Sequence, residues 1–109
     1  MKPRRDIRSL LRPRAVAIVG ASPRPGSVGG EILRNVVRNG YKGDVYPVNP
    51  KYAEIDGMRC YASVRDLSGP VDLAVIAVRR DLAVRVVDEC GNAKIPNVVM
   101  ITAGFKESG

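Results

Sequence analysis

Ala15-Val16-Ala17-Ile18-Val19-Gly20-Ala21-Ser22-Pro23-Arg24-Pro25-Gly26-Ser27-Val28-Gly29-Gly30 is the stretch whose reading decides the fold. An uncharged, partly β-branched run stops at a glycine, crosses a loop of Gly, Ser and Pro, and enters a helical pattern. That is the strand–loop–helix opening of a Rossmann-like unit, whose loop offers backbone N–H groups and a helix N-terminus to a phosphate. The same residues argue against the usual phosphate grips. A G-x-G-x-x-G fingerprint starting at Gly20 needs glycine where Ser22 and Pro25 stand. A P-loop ending at Gly26 needs glycine and lysine where Ala21 and Ser27 stand.

Outward from this stretch the pattern alternates. Ile32, Leu33, Val36 and Val37 form one stripe at a period of 3.6, with Glu31, Arg34, Arg38 and Asn39 opposite and Gly40 as the stop. A second strand is predicted over Val45 to Val48, ended by Asn49-Pro50. Between Tyr52 and Leu67 the reading is a turn at Asp56-Gly57, a short strand over Met58 to Tyr61 and one helical turn capped by Ser63. Leu73 to Val78 is a third long strand. Asp81 is expected to cap a helix with Leu82, Val86, Val87 and Cys90 inward and Gly91 near its end, and Val98 to Ile101 is the last strand. The expectation is an α/β fold: a Rossmann-like, doubly wound, mostly parallel sheet in three layers. It makes one domain over 15–109, preceded by a basic arm over 1–14.

Composition narrows the chemistry. The chain has 109 residues, 45% of them hydrophobic and 27% charged, enough for one small globular domain. It has no histidine, which removes His general bases, His-activated nucleophiles and imidazole metal ligands. The carboxylates fall where turns, caps and exposed helix faces are expected, with no convincing pair or metal cluster. Binding without catalysis by this chain is the expectation. Cys60 and Cys90 have neither metal nor disulfide spacing and read as reduced thiols of a cytoplasmic protein. The net charge of +7 suits an anionic partner, but only 5% of the residues are aromatic and no stacking stripe interleaves the charges, so nucleic acid is not expected. No run approaches the roughly 18 apolar residues of a membrane span, so no membrane partner is expected.

In a doubly wound sheet ligands bind beyond the carboxyl ends of the strands. Four loops meet there: Gly20–Gly29, Asn49–Lys51, Arg79–Asp81 and Thr102–Phe105. In NAD-binding domains an acidic residue about 20 positions past the glycine loop binds the adenosine ribose. Here that count reaches Asn49, followed by Pro50 and Lys51. An amide and a cation suit a phosphate near this ribose, as in NADP or coenzyme A, and the alternative is a plain turn with a solvated lysine.

Five blocks occur in order: Val16-Ala-Ile-Val-Gly-Ala-Ser-Pro23, Gly26-Ser-Val-Gly29, Val45-Tyr-Pro-Val-Asn-Pro-Lys51, Val71-Asp-Leu-Ala-Val-Ile-Ala-Val78 and Ile101-Thr-Ala-Gly-Phe-Lys-Glu107. Together they resemble the N-terminal CoA-binding domain of ADP-forming (NDP-forming) acyl-CoA synthetases, relatives of the succinyl-CoA synthetase α subunit, from about Leu11 to Gly109. The resemblance implies coenzyme A, or an acyl-CoA, held across the four loops. Gly20, Ala21, Ser22, Pro23, Gly26, Ser27, Val28 and Gly29 would wrap the pyrophosphate. Val48, Asn49, Pro50 and Lys51 would receive the adenosine and its 3′-phosphate. Ala77, Val78, Thr102, Ala103, Gly104 and Phe105 would line the pantetheine path. It also implies partners, an ATP-grasp domain and a phosphohistidine-bearing domain of the same enzyme system, and leaves a homo-oligomer open. Two departures stand out: Arg79-Arg80 occupies a place where the family usually has proline, and the chain stops at Gly109, before the family's last strand. The alternatives are an NADP-binding oxidoreductase module, a CoA-binding regulatory domain of a protein acetyltransferase, and a small-ligand or protein-interaction module without CoA.

Overall fold

The computed structural model describes residues 13–101. Four parallel strands form its sheet: β1 (Ala15–Val19), β2 (Asp44–Val48), β5 (Leu73–Ile76) and β6 (Asn97–Met100), in the spatial order β2-β1-β5-β6. Two-residue strands β3 (Glu54–Ile55) and β4 (Met58–Arg59) make a separate antiparallel hairpin, and Val64–Asp66 is a 3-10 turn. The helices are α1 (Val28–Arg38) and α2 (Arg80–Asn92).

β1 is buried at all five positions, because strands flank it on both edges and helices cover both faces. Its side chains divide by the period-two rule. Val16 and Ile18 face α1 with Leu33, Ile55 and Cys60. Ala15, Ala17 and Val19 face α2 with Ala74, Ile76, Ala83 and Cys90. The result is the expected three-layer, doubly wound arrangement. The chain winds from β1 to β2 in one direction, then crosses back to β5 on the other side of β1, so the order reverses between β1 and β5. Gly20 follows β1 at this switch point.

Both helices end alike. Gly40, at φ +79°, donates to Val37, while Tyr41 donates to Val36, a Schellman motif with glycine in the left-handed position. After α2, Lys94 donates to Gly91 and Ile95 to Cys90, and the left-handed residue is Lys94 itself at φ +63°. The starts differ. Ser27 caps α1 by accepting from Gly30 N–H. α2 starts from Arg79, which makes no side-chain cap bond, so Asp81 is not the cap. Asp81 sits inside the first turn and accepts from Arg79 at 3.0 Å.

The inward face of α2 also departs from the expectation. Ala83, Val86 and Cys90 meet the sheet, whereas Leu82 and Val87 are exposed. Ala83 and Cys90 share a core with Ala74 and Ile76, and this rotation of the helix turns Leu82 and Val87 toward solvent. Val37 of α1 is likewise exposed. The hairpin turns at Asp56-Gly57 as expected, but Glu54-Ile55 pairs across it and β4 ends at Arg59. Tyr61 instead bridges to Val48, extending the far side of β2. Pro47 fits there because its backbone points outward: its carbonyl accepts from Tyr61 N–H, and the edge needs no donor from it. At the opposite edge β6 carries exposed Val98, Val99 and Met100.

Candidate functional site

The carboxyl ends of β1, β2 and β5 bring the expected residues to one end of the sheet. Gly20 donates to the carbonyl of Val48 at 2.9 Å, so the glycine loop starts against the end of β2. Its other neighbour is the end of β5, where Ala77 donates to Val19 at 2.8 Å. Gly20 is required twice over. Its φ is +97°, and a Cβ there would lie 2.4 Å from the carbonyl oxygen of Ala77. A Cβ on Gly29 would lie 2.2 Å from the oxygen of Gly20, and one on Gly30 2.2 Å from the oxygen of Ser22. These three glycines therefore let backbone pack on backbone and hold the loop's shape. Gly26 is different, with nothing within 4 Å of a Cβ.

The rest of the loop is ordered by local bonds. Ser22 is buried and its hydroxyl accepts from Arg24 N–H at 3.1 Å, while Ala21 is fully buried. Pro23, Arg24 and Pro25 are exposed. Ser27 N–H donates to Arg24, closing the loop onto α1. In the first turn of α1, Ser27 Oγ takes the amide of Gly30 and Ser27 O the amide of Glu31. By helix geometry the amides of Val28 and Gly29 have no acceptor within the helix, and the positive end of the helix dipole lies there.

The β2 side is tied to this loop. Asn49 Nδ2 donates to the carbonyl of Ala21 at 2.8 Å, and Asn49 Oδ1 accepts from Lys51 N–H at 2.9 Å. Lys51 is exposed beside it, as is Pro50, while Val48 is buried. On the β5 side, Ala77 and Val78 lie just past the strand, which ends at Ile76, two residues earlier than expected. Arg79 and Arg80 are exposed, and the Arg79 guanidinium holds the Asp81 carboxyl below the usual carboxylate range. Thr102, Ala103, Gly104 and Phe105, expected to complete the site, lie outside the described residues.

Sequence reasoning missed the brace beneath Asn49. Tyr61 accepts from Asn49 N–H at 2.8 Å and donates to Pro47, and the Cys60 thiol lies 3.5 Å from the Asn49 carbonyl. Burial raises that thiol's pKa. Tyr61 also packs edge-on against Tyr46, and Arg59 stacks over its ring at 4.8 Å. No spacing signal announces that a tyrosine 13 residues beyond Val48 returns to pair with it. Two hollows, of about 600 and 930 Å³, lie away from this end, one beside the 3-10 turn and the C-terminal end of α2, the other under α1 near Tyr41 and Leu73. Among the described residues no helix is long and apolar enough to cross a membrane.

A parallel, doubly wound sheet with a glycine loop leading into a helix at its switch point defines the class, a Rossmann-like α/β domain. The profile of the CoA binding domain family matches residues 14–108, and the chain belongs to that family. It is 49% identical over 100 residues to the acetate–CoA ligase (ADP-forming) I of Archaeoglobus fulgidus, across 92% of this chain and 14% of that protein. It is 45% identical over 98 residues to the 4-hydroxybutyrate–CoA ligase (ADP-forming) of Nitrosopumilus maritimus, across 90% of this chain and 14% of that one. Among solved structures, the dinucleotide-forming acetyl-coenzyme A synthetase 1 of Ca. Korarchaeum cryptofilum, in complex with phosphate and ADP, superposes with a TM-score of 0.88 at 46% identity. That match covers 97% of this chain and 23% of the other. The chain thus spans about one seventh of the length of these two curated relatives.

Proposed function

We propose that this chain binds coenzyme A or an acyl-CoA, as the CoA-binding domain of an ADP-forming acyl-CoA synthetase system, and that it performs no ligase turnover by itself. The observation that carries the reading is the junction of the two phosphate-competent loops. The glycine loop, shaped by backbone contacts at Gly20 and Gly29, is hydrogen-bonded through Asn49 to the loop bearing the exposed cation Lys51.

The residues fit the group. The first-turn amides of Val28 and Gly29, within the Gly20–Gly29 loop and its Ser22, Pro23, Gly26 and Ser27, suit a pyrophosphate at the positive end of α1. Val48 to Lys51 form the adenosine side, with Lys51 against the 3′-phosphate. Ala77 and Val78, just past the end of β5, offer the thiol-bearing arm a path. Bound there, coenzyme A would supply the thiol that carries the acyl group. The phosphohistidine of the wider system has to come from elsewhere, because this sequence has no histidine. An ATP-grasp domain and the histidine-bearing domain are the partners this reading assigns.

Calorimetric titration tests it. CoA and acetyl-CoA are expected to bind at least about tenfold tighter than NAD or NADP, a difference of about 1.4 kcal/mol. Equal or tighter binding of NADP would replace the reading with an oxidoreductase module. Lys51→Ala is expected to weaken CoA more than dephospho-CoA, since a charge-assisted bond to phosphate contributes about 1.5–3 kcal/mol.

A further inference from the structure

All four polar atoms of Asn49 are engaged within the protein. The backbone N–H donates to Tyr61 at 2.8 Å, and the carbonyl accepts from Tyr52 N–H at 3.3 Å. The side chain reaches in two directions. Nδ2 donates to the Ala21 carbonyl in the glycine loop, and Oδ1 accepts the amide of Lys51. Only a carboxamide offers a donor and an acceptor on one rigid, uncharged plane of this size. Aspartate has no donor when ionised, and serine has a single oxygen.

A side chain committed in this way has its polar atoms turned to the protein, although its place on β2 is where an adenosine-reading group is expected. We infer that Asn49 is a positioning residue: it holds the backbone of Lys51 to the glycine loop, so that the pyrophosphate and the 3′-phosphate of a single ligand are met at a fixed separation. The inference rests on the CoA reading above and adds to it where 3′-phosphate selectivity originates. Lys51 is a flexible, exposed side chain whose reach is set by the position of its Cα. With the tie to Ala21 gone, the two loops must be ordered against each other at the moment of binding, and that cost falls on the ligand touching both.

The test is a double-mutant cycle on the 109-residue chain, with Asn49→Ala, Lys51→Ala and the double substitution each titrated with CoA and with dephospho-CoA. Asn49→Ala is expected to weaken CoA about tenfold and to shrink the preference for CoA over dephospho-CoA to within about twofold of that left by Lys51→Ala. Because the two residues act as one unit, the double substitution is expected to lose no more than about threefold beyond either single one. Losses that multiply, or a preference that survives in Asn49→Ala, overturn the inference, the second outcome leaving Asn49 a support of the fold alone. Asn49→Asp covers the case in which the alanine variant does not fold. It keeps the acceptor for Lys51 and sets an oxygen against the Ala21 carbonyl, so the preference is expected to shrink as in Asn49→Ala, and its retention overturns the inference. An unsubstituted chain that binds no CoA overturns the functional reading and this inference together. A chain that binds CoA selectively while its Asn49 variants stay selective overturns this inference alone.

Discussion

The β1–α1–β2 half and the β5–α2–β6 half are built on one plan and finished to different standards. In the first, the strand is wholly buried, the helix starts from a serine that caps it and ends on a glycine suited to the left-handed position. In the second, the helix starts from an arginine with no cap bond, ends on a lysine forced to φ +63°, and shows Leu82, Val84 and Val87 to solvent. Among the described residues no strand pairs with the outer edge of its β6. Backbone accuracy is concentrated where phosphates are proposed to bind. The second half supplies a layer of the core and one rim of the crevice, tasks that tolerate looser helix ends.

Gly29→Val breaks this contrast hardest. Its first side-chain carbon would sit 2.2 Å from the Gly20 oxygen, so α1 must shift from β1 and the loop must change shape. CoA binding is expected to be lost in titration, and denaturant melts are expected to show a cost of about 3 kcal/mol, the upper part of the range for overpacking. A variant that binds normally would reduce the loop to a connector.

A pH series probes the buried side of the second half. Burial, with the charge of Glu89, pushes the Cys90 thiol up to about 11 from 9.0. The folded chain keeps this proton where the unfolded chain loses it. The stability it contributes is whole below about pH 9 and is lost as the pH rises toward about 11, and the raised Cys60 acts in the same direction. Urea melts are expected to be level from about pH 6 to 8, where a histidine-free chain has no titrating side chain of ordinary pKa, and to fall by on the order of 2 kcal/mol toward pH 11. A marked slope near neutrality would contradict this.

Arg79→Ser gives α2 the cap that α1 already has. A gain of about 1 kcal/mol is expected, read as a melting temperature higher by about 4–8 °C. Smaller still is Lys94→Gly, which relieves a left-handed lysine in the C-terminal motif and is expected to add up to about 1 kcal/mol. If neither substitution stabilises the chain, the second half is not under-finished, and its end residues are held by something other than helix capping.

The strand–loop–helix at residues 15 to 38 was legible because each local signal there agrees with the tertiary demand. An uncharged β-branched run lies in the centre of the sheet, and Ser27 and Gly40 sit where caps belong. The order of the long elements, and the meeting of the loops after β1, β2 and β5 at one end of the sheet, followed from the alternation alone. The rotation of α2 did not, because Leu82, Val86, Val87 and Cys90 fit a helical stripe as well as Ala83, Val86 and Cys90 do. In the fold Ala83 and Cys90 share a core with Ala74, and Leu82 and Val87 are exposed. Asp81 looked like a cap on type and position, yet its carboxylate accepts from Arg79, two residues before it. Within the candidate site, residue types pointed to Asn49 and Lys51 together. That the amide bonds to Ala21, and that Tyr61 and Cys60 close beneath it, depends on a chain reversal carrying no short-range signal.

Pro47 also bears on the chain at high concentration. A sheet grows into a filament only if each molecule offers two receptive edges, one to take a neighbour and one to be taken. On the β2 side Pro47 has no N–H to offer and its carbonyl is already held by Tyr61, while on the β6 side Val98 and Met100 lie open along the edge. Among the described residues β6 is the edge left open, and pairing through it uses up both partners at once. The proline that looks misplaced inside a strand thus makes the β2 edge a poor place for another sheet to add.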